Sequence, residues 1–178
     1  MKRLALAMMV LLAAVMLTSA PAWTKNPENA FVNFGVPGTS GALNHMIVPN
    51  DVTISSGGIV NFAIVSGVGP GATGGAGLHQ VTVYRVADGT KLSVIAAQIA
   101  PPTYSIVDKN GALVLQVTAG SPRVNSDPTG LRVFIEAAAD TTPRTVGVYF
   151  PDPGTYLVIC NVTAHLNDGM IAIVTVKK

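Results

Sequence analysis

Short runs of β-branched and apolar residues, each cut off within about a dozen residues by glycine, proline or Asn/Asp turn signals, leave this chain little choice but an all-β fold. The runs are VTISSGGIVNFAI, HQVTVYRV, DGTKLSVIAA, NGALVLQVT, LRVFIEA, RTVGVYF, GTYLVIC and GMIAIVTV. About seven or eight strands at this spacing predict an antiparallel sandwich or small barrel. Only GLRVFIEAAAD hints at a helical turn. No repeat of fixed period and no long linker divides the chain. The glycine-rich stretch SGVGPGATGGAG, residues 66–77, reads as a loop before a strand. It has neither the Lys-Ser/Thr pair nor the following helix of a phosphate cradle.

The first 22 residues follow a different rule. Lys2 and Arg3 precede an apolar run from Leu4 to Leu17, and Ala20-Pro21-Ala22 supplies a small-residue cleavage pattern before Trp23. This is the build of a secretory signal peptide, and the run of 14 residues is short of the ~20 needed to span a bilayer. The expectation is an exported chain, periplasmic or extracellular, with no membrane span in its mature part. Removing this segment takes two of the eleven basic residues and leaves nine against nine acidic ones. A mature chain of zero formal charge without basic clusters excludes a nucleic-acid surface.

Export makes the cysteine count informative. Cys160 is the only cysteine of the 178 residues, so it forms no internal disulfide. It is a buried thiol, a reactive one or a metal ligand. Strand alternation bears on the choice. His79, Val81 and Val83 share one face of a strand, Tyr156, Val158 and Cys160 share one face of another, and Met170, Ala172 and Val174 share one face of the last. Three strands or strand ends therefore aim His79, Cys160 and Met170 inward, and His165 sits on the loop joining the last two.

One thiolate, two imidazoles and one thioether form an uncommon donor set. Soft sulfur selects copper, and a trigonal arrangement of two histidines and one cysteine with a weak axial methionine is the type 1 copper pattern. Structural zinc wants four strong donors, which the cysteine count does not supply. No HExxH pair is present for catalytic zinc. The candidate ligands are His79, Cys160, His165 and Met170. Residues Asn161–Ala164 and Leu166–Gly169 are read as the turns between the last three, with Gly169 free to take a backbone angle that a side chain resists.

The end of the chain, F-PDPG-TY-LVI-C-NVTA-H-LNDG-M-IAIVTV, resembles the cupredoxin signature: an aromatic, Pro-Gly-x-Tyr, three residues, then the Cys, His and Met ligands. VPNDVTISSGGIVNF and HQVTV resemble two further cupredoxin segments, the second supplying the first histidine ligand. Four residues between Cys and His and four between His and Met match rusticyanin-like and auracyanin-like members. The resemblance spans residues 46–84 and 150–178.

It implies a Greek-key β-sandwich or barrel, one type 1 copper and an electron-transfer protein rather than an enzyme. With the signal peptide read at 1–22, the resemblance divides the rest into an N-terminal extension 23–44 and a cupredoxin domain 45–178 with an enlarged middle region 86–146 that is expected to hold extra strands or a flap. Multicopper oxidases flank the cysteine with histidines. Ile159 and Asn161 stand there instead, which excludes a multinuclear centre. The backbone N–H of Gln80 is expected to donate to the cysteine sulfur. A monomer is expected, with redox protein partners docking weakly at an exposed edge of His165 ringed by apolar residues such as Leu166. His45 is read as a surface residue bordering that face. The competing readings are a copper-binding or delivery module and a metal-free envelope interaction domain.

Overall fold

The computed structural model describes residues 28–36, 45–64, 79–99, 105–117, 121, 124, 132–135 and 144–178. The signal segment 1–22 and the glycine-rich stretch 66–77 lie outside the described residues. No helix among them is long and apolar enough to cross a membrane.

Two mixed sheets face each other. The first orders β2 (Met46–Val48), β1 (Asn29–Val36), β4 (Gly58–Ile64) and β9 (Arg144–Phe150). The second orders β3 (Asp51–Ser55), β11 (Ile171–Lys177), β10 (Gly154–Cys160), β5 (Val81–Val86) and β8 (Arg132–Ile135). β1 runs parallel to β4 and β3 parallel to β11, while the other pairs are antiparallel. A separate hairpin joins β6 (Ser105–Val107) to β7 (Leu113–Gln116).

The all-β sandwich is as expected, but its sheets are mixed rather than purely antiparallel. Nine strands lie in the two sheets among the described residues, more than the seven or eight anticipated. The addition includes Asn29–Val36, which pairs with β4 from within the segment read as an extension.

The burial pattern of each strand explains its sheet. β4 alternates buried with half-exposed residues, so the first sheet is packed on one face. β10 is buried at every position and β11 at nearly every one. A strand that is apolar throughout has both faces covered. Inside, Val83, Tyr156, Val158, Cys160, Met170, Ala172 and Val174 pack against Phe34, Phe62, Val148 and Phe150 of the first sheet. Outside, Tyr84, Leu157, Ile159, Ile171 and Ile173 pack under Ile95, Ile106, Val114, Leu115 and Val124. The described residues 92–99, 105–117 and 124 of the middle region therefore form a lid over the outer face of the second sheet, while Arg132–Ile135 joins that sheet as β8.

That lid is tied down by polar contacts. Asp108 accepts from the backbone N–H of Asn110 and Ala112 at 2.9 and 3.1 Å, which closes the hairpin turn, and from Ala87 at the end of β5 at 3.2 Å. Gly89 N–H donates to Thr155 Oγ1 of β10 at 3.0 Å.

One expected strand is a helix. Within DGTKLSVIAA, Leu92–Ala96 forms a short helix, α1. Leu92, Ile95 and Ile99 turn to the outer cluster at three- and four-residue spacing, which only a helix brings onto one side. The β-branched content of this run points to a strand, and packing overrides it. LRVFIEA holds the strand expected of it, and the helical turn hinted at in GLRVFIEAAAD is not seen at its described residues. Arg132–Ile135 is strand β8, and residues 136–140 lie outside the described residues.

Leu115 is fully buried at the centre of the lid. Leu115→Ala is expected to lower stability by ~2–5 kcal/mol in urea titrations, the usual range for a buried leucine. A loss below about 1 kcal/mol would mean that the middle region lies loosely on the sheet.

Candidate metal centre

The backbone ladder that pairs β5 with β10 positions the first two donors. Cys160 pairs with Val81, and Asn161 N–H donates to the Gln80 carbonyl at 2.8 Å, one step past both strand ends. The side chains of the same two residues are also joined, Asn161 Nδ2 donating to Gln80 Oε1 at 2.7 Å. The ladder thus carries His79 to the mouth of the sandwich beside Cys160. Val81 and Val83 fall in the inner cluster with Cys160, on the face that alternation assigned to them.

The third donor rides on a turn. Residues Thr163–Asn167 form a helical turn, α2, where the sequence suggests an open loop. Its end is closed by Asp168 N–H to Ala164 and Gly169 N–H to Leu166, at 3.1 and 2.9 Å. Gly169 takes φ 86°, a conformation that a side chain resists. The return is then locked to its neighbours: Met170 N–H donates to the His165 carbonyl at 3.0 Å, and Cys160 N–H to the Met170 carbonyl at 3.2 Å.

His79, Cys160 and His165 present ligand atoms that lie within 4.8 Å of one another, and all three residues are buried. Cys160 Sγ is 3.8 Å from His79 Nδ1 and 3.5 Å from His165 Nδ1. An ion held at about 2.3 Å from sulfur and about 2.0 Å from nitrogen, with about 120° between them, separates the two donors by about 3.7 Å. The spacing therefore fits one trigonally bound ion, and the donors fit type 1 copper. Met170 is fully buried in the inner cluster with Cys160.

Burial also prepares the histidine. It pushes the His79 pKa down to about 4, with the neighbouring His45 adding to the effect, so the ring is neutral and its lone pair available at pH 7. Its Nε2 is buried without a hydrogen-bond partner. Such a loss costs roughly 1–3 kcal/mol and marks a ring held for its other nitrogen.

Two surface expectations are overturned. His45 is not at the surface: it is 7% exposed, its ring centroid 3.8 Å from that of His165, and its Nδ1 is 2.5 Å from Asp168 Oδ2. Leu166 does not ring an exposed imidazole either. It turns into the outer cluster at 2% exposure, because α2 lies down on the second sheet, and His165 itself is 5% exposed. Sequence reasoning missed His45 as part of the site. The only available signal was that a chain with three histidines had placed the other two on one metal.

Neither a protein-family model nor a curated protein sequence matches the chain. Among solved structures it is similar to auracyanin B, with 15% identity, a TM-score of 0.47 and coverage of 86% of this chain and 92% of the other. It is also similar to auracyanin A, a blue copper protein from Chloroflexus aurantiacus, with 19% identity, a TM-score of 0.45 and coverage of 84% and 100%. Plastocyanin from Dryopteris crassirhizoma gives 22% identity, a TM-score of 0.37 and coverage of 83% and 99%.

The depressed His79 pKa has a thermodynamic consequence in the metal-free protein. The unfolded chain takes up a proton at this ring near pH 6.5, whereas the folded chain does so only near 4. This contribution to stability is complete above pH 6.5 and is lost as pH falls toward 4, up to about 3 kcal/mol. Urea titrations at pH 7 and 4.5 should show that loss in the parent and a smaller one in His79→Gln. Equal losses would place the acid sensitivity elsewhere.

Proposed function

We propose that this chain is an exported blue copper protein that works as a one-electron carrier, in which His79, Cys160, His165 and Met170 would hold the copper. The observation that carries this reading is the convergence of one sulfur and two imidazole nitrogens from three chain segments, all buried and spaced for a single trigonal ion. Bound there, copper would supply a Cu(I)/Cu(II) couple.

The chain's own part is to hold the donors still. Cys160 closes a strand paired on both edges, and His79 is fixed to it through the Gln80–Asn161 contacts. His165 and Met170 are locked by backbone hydrogen bonds to each other and to Cys160. Donors that do not rearrange suit an electron-transfer role, because little reorganisation accompanies each change of charge. Burial of Cys160 in the inner cluster lowers the local dielectric, and a thioether ligand favours the reduced ion. The backbone N–H of Gln80 is assigned the role of donor to the sulfur.

Enclosure also speaks for a resident metal rather than one passed to a partner: His79 and Cys160 are fully buried and His165 nearly so. Partners of a mature chain with no net formal charge meet it without strong long-range steering and dock weakly near His165. Export rests on the leader-like residues 1–22.

Adding Cu(II) to the purified metal-free protein should give an intense blue thiolate-to-copper band that bleaches with ascorbate and returns on reoxidation. A colourless product would falsify the carrier reading and favour a metal-free interaction domain. Rapid surrender of the copper to a chelator would favour a delivery module instead. Cys160→Ser should fold and bind without colour. Met170→Gln should keep the colour but lower the reduction potential, since an oxygen donor stabilises the oxidised ion. An unchanged potential would leave Met170 as packing alone.

A further inference from the structure

His45 belongs to no metal-donor group among the described residues, yet it is built into this site with more contacts than a filler needs. It stands just ahead of β2, the edge strand of the first sheet, while His165 and Asp168 belong to the ligand loop of the second. Its ring overlies His165 with centroids 3.8 Å apart and planes 32° apart, and meets His79 edge-on at 6.1 Å and 87°. Its Nδ1 is 2.5 Å from Asp168 Oδ2, across 123 positions of sequence. The His45 ring cannot turn without breaking this bond to the Asp168 side chain.

Asp168 is itself fixed. It caps α2 three residues after His165 and donates its backbone N–H to Ala164 at 3.1 Å. His45, Asp168 and His165 thus form a closed bracket in which the ligand ring is gripped from its outer side by a second imidazole. Exposures of 7% for His45 and 5% for His165 show that this bracket also keeps water from the ring.

We propose that His45 is a positioning residue of the copper site: held by Asp168, it fixes the plane of the His165 ring and covers its outer face. The inference rests on the copper reading. A ligand ring with one available orientation raises metal retention and keeps the ligand field uniform, and loss of such an outer partner typically weakens metal affinity about 10–100-fold.

The test uses His45→Ala, His45→Phe, Asp168→Ala and Asp168→Asn in the full chain, with two kinds of readout. In the metal-free protein, the ring protons of His165 should be shifted upfield by the stacked ring in the parent, move downfield in His45→Ala, and stay near the parent position in His45→Phe. In the copper-loaded protein, His45→Ala should release copper to a chelator at least about tenfold more readily and alter the ratio of the two thiolate-to-copper bands. His45→Phe should restore much of both by keeping the stack. Asp168→Ala should resemble His45→Ala more weakly, and Asp168→Asn, which still accepts a hydrogen bond, should stay close to the parent.

Unchanged His165 signals in His45→Ala overturn the proposal, as does a drop in melting temperature with unaltered spectrum and copper retention. If His45→Ala does not fold, the contrast between His45→Phe and Asp168→Ala decides in the same way. A parent protein that fails to turn blue sinks the copper reading, while the metal-free ring shifts still judge the bracket.

Discussion

The molecule depends on one strand that has nowhere to go. β10 is hydrogen-bonded on both edges, to β5 and β11, and covered on both faces, by the first sheet inside and by the middle region outside. Its last residue is Cys160. A thiol at the end of such a strand inherits the rigidity of the whole second sheet, and the other donors are placed by reference to it. His79 arrives through the neighbouring strand of the same ladder, and His165 and Met170 through the turn that leads to the strand on the other side.

This arrangement divides the labour between the two layers that flank the second sheet. The lid of α1, the β6–β7 hairpin and Val124 supplies apolar burial, and it reaches the site where Leu166 packs into the outer cluster and where Val124 N–H donates to the Asn161 carbonyl at 2.8 Å. The first sheet supplies the inner wall and, through His45, a side chain that presses on the ligand loop from across the sandwich. The donors are thus braced by backbone ladders along the second sheet and by a side-chain bracket between the two sheets. Both kinds of restraint hold His79, Cys160 and His165 in one geometry.

Much of this was written locally. Alternation in HQVTVYRV and GTYLVIC put His79 and Cys160 on one inward face, because a period of two is a property of the strand itself. That β10 and β11 are covered on both sides was not read from the sequence, where alternation alone assigned an inward face. What misled was composition without context. DGTKLSVIAA carries strand-like residues but packs at helical spacing, and the turn between Cys160 and Met170 winds into α2. His45 gave no local signal, since its neighbours MIVPNDV say only that a strand begins.

The sequence by itself determined the class of fold and the donor types, for both follow from residue chemistry and from spacings of a few positions: β-branched runs between turns, and one thiol with an imidazole and a thioether behind it. Only the tertiary structure decided that the middle region roofs the second sheet and that the third histidine is enclosed against the second. Those outcomes depend on contacts such as His45 to Asp168, across 123 residues, where the energy of meeting belongs to the packed sheets and leaves no mark on either residue's neighbours.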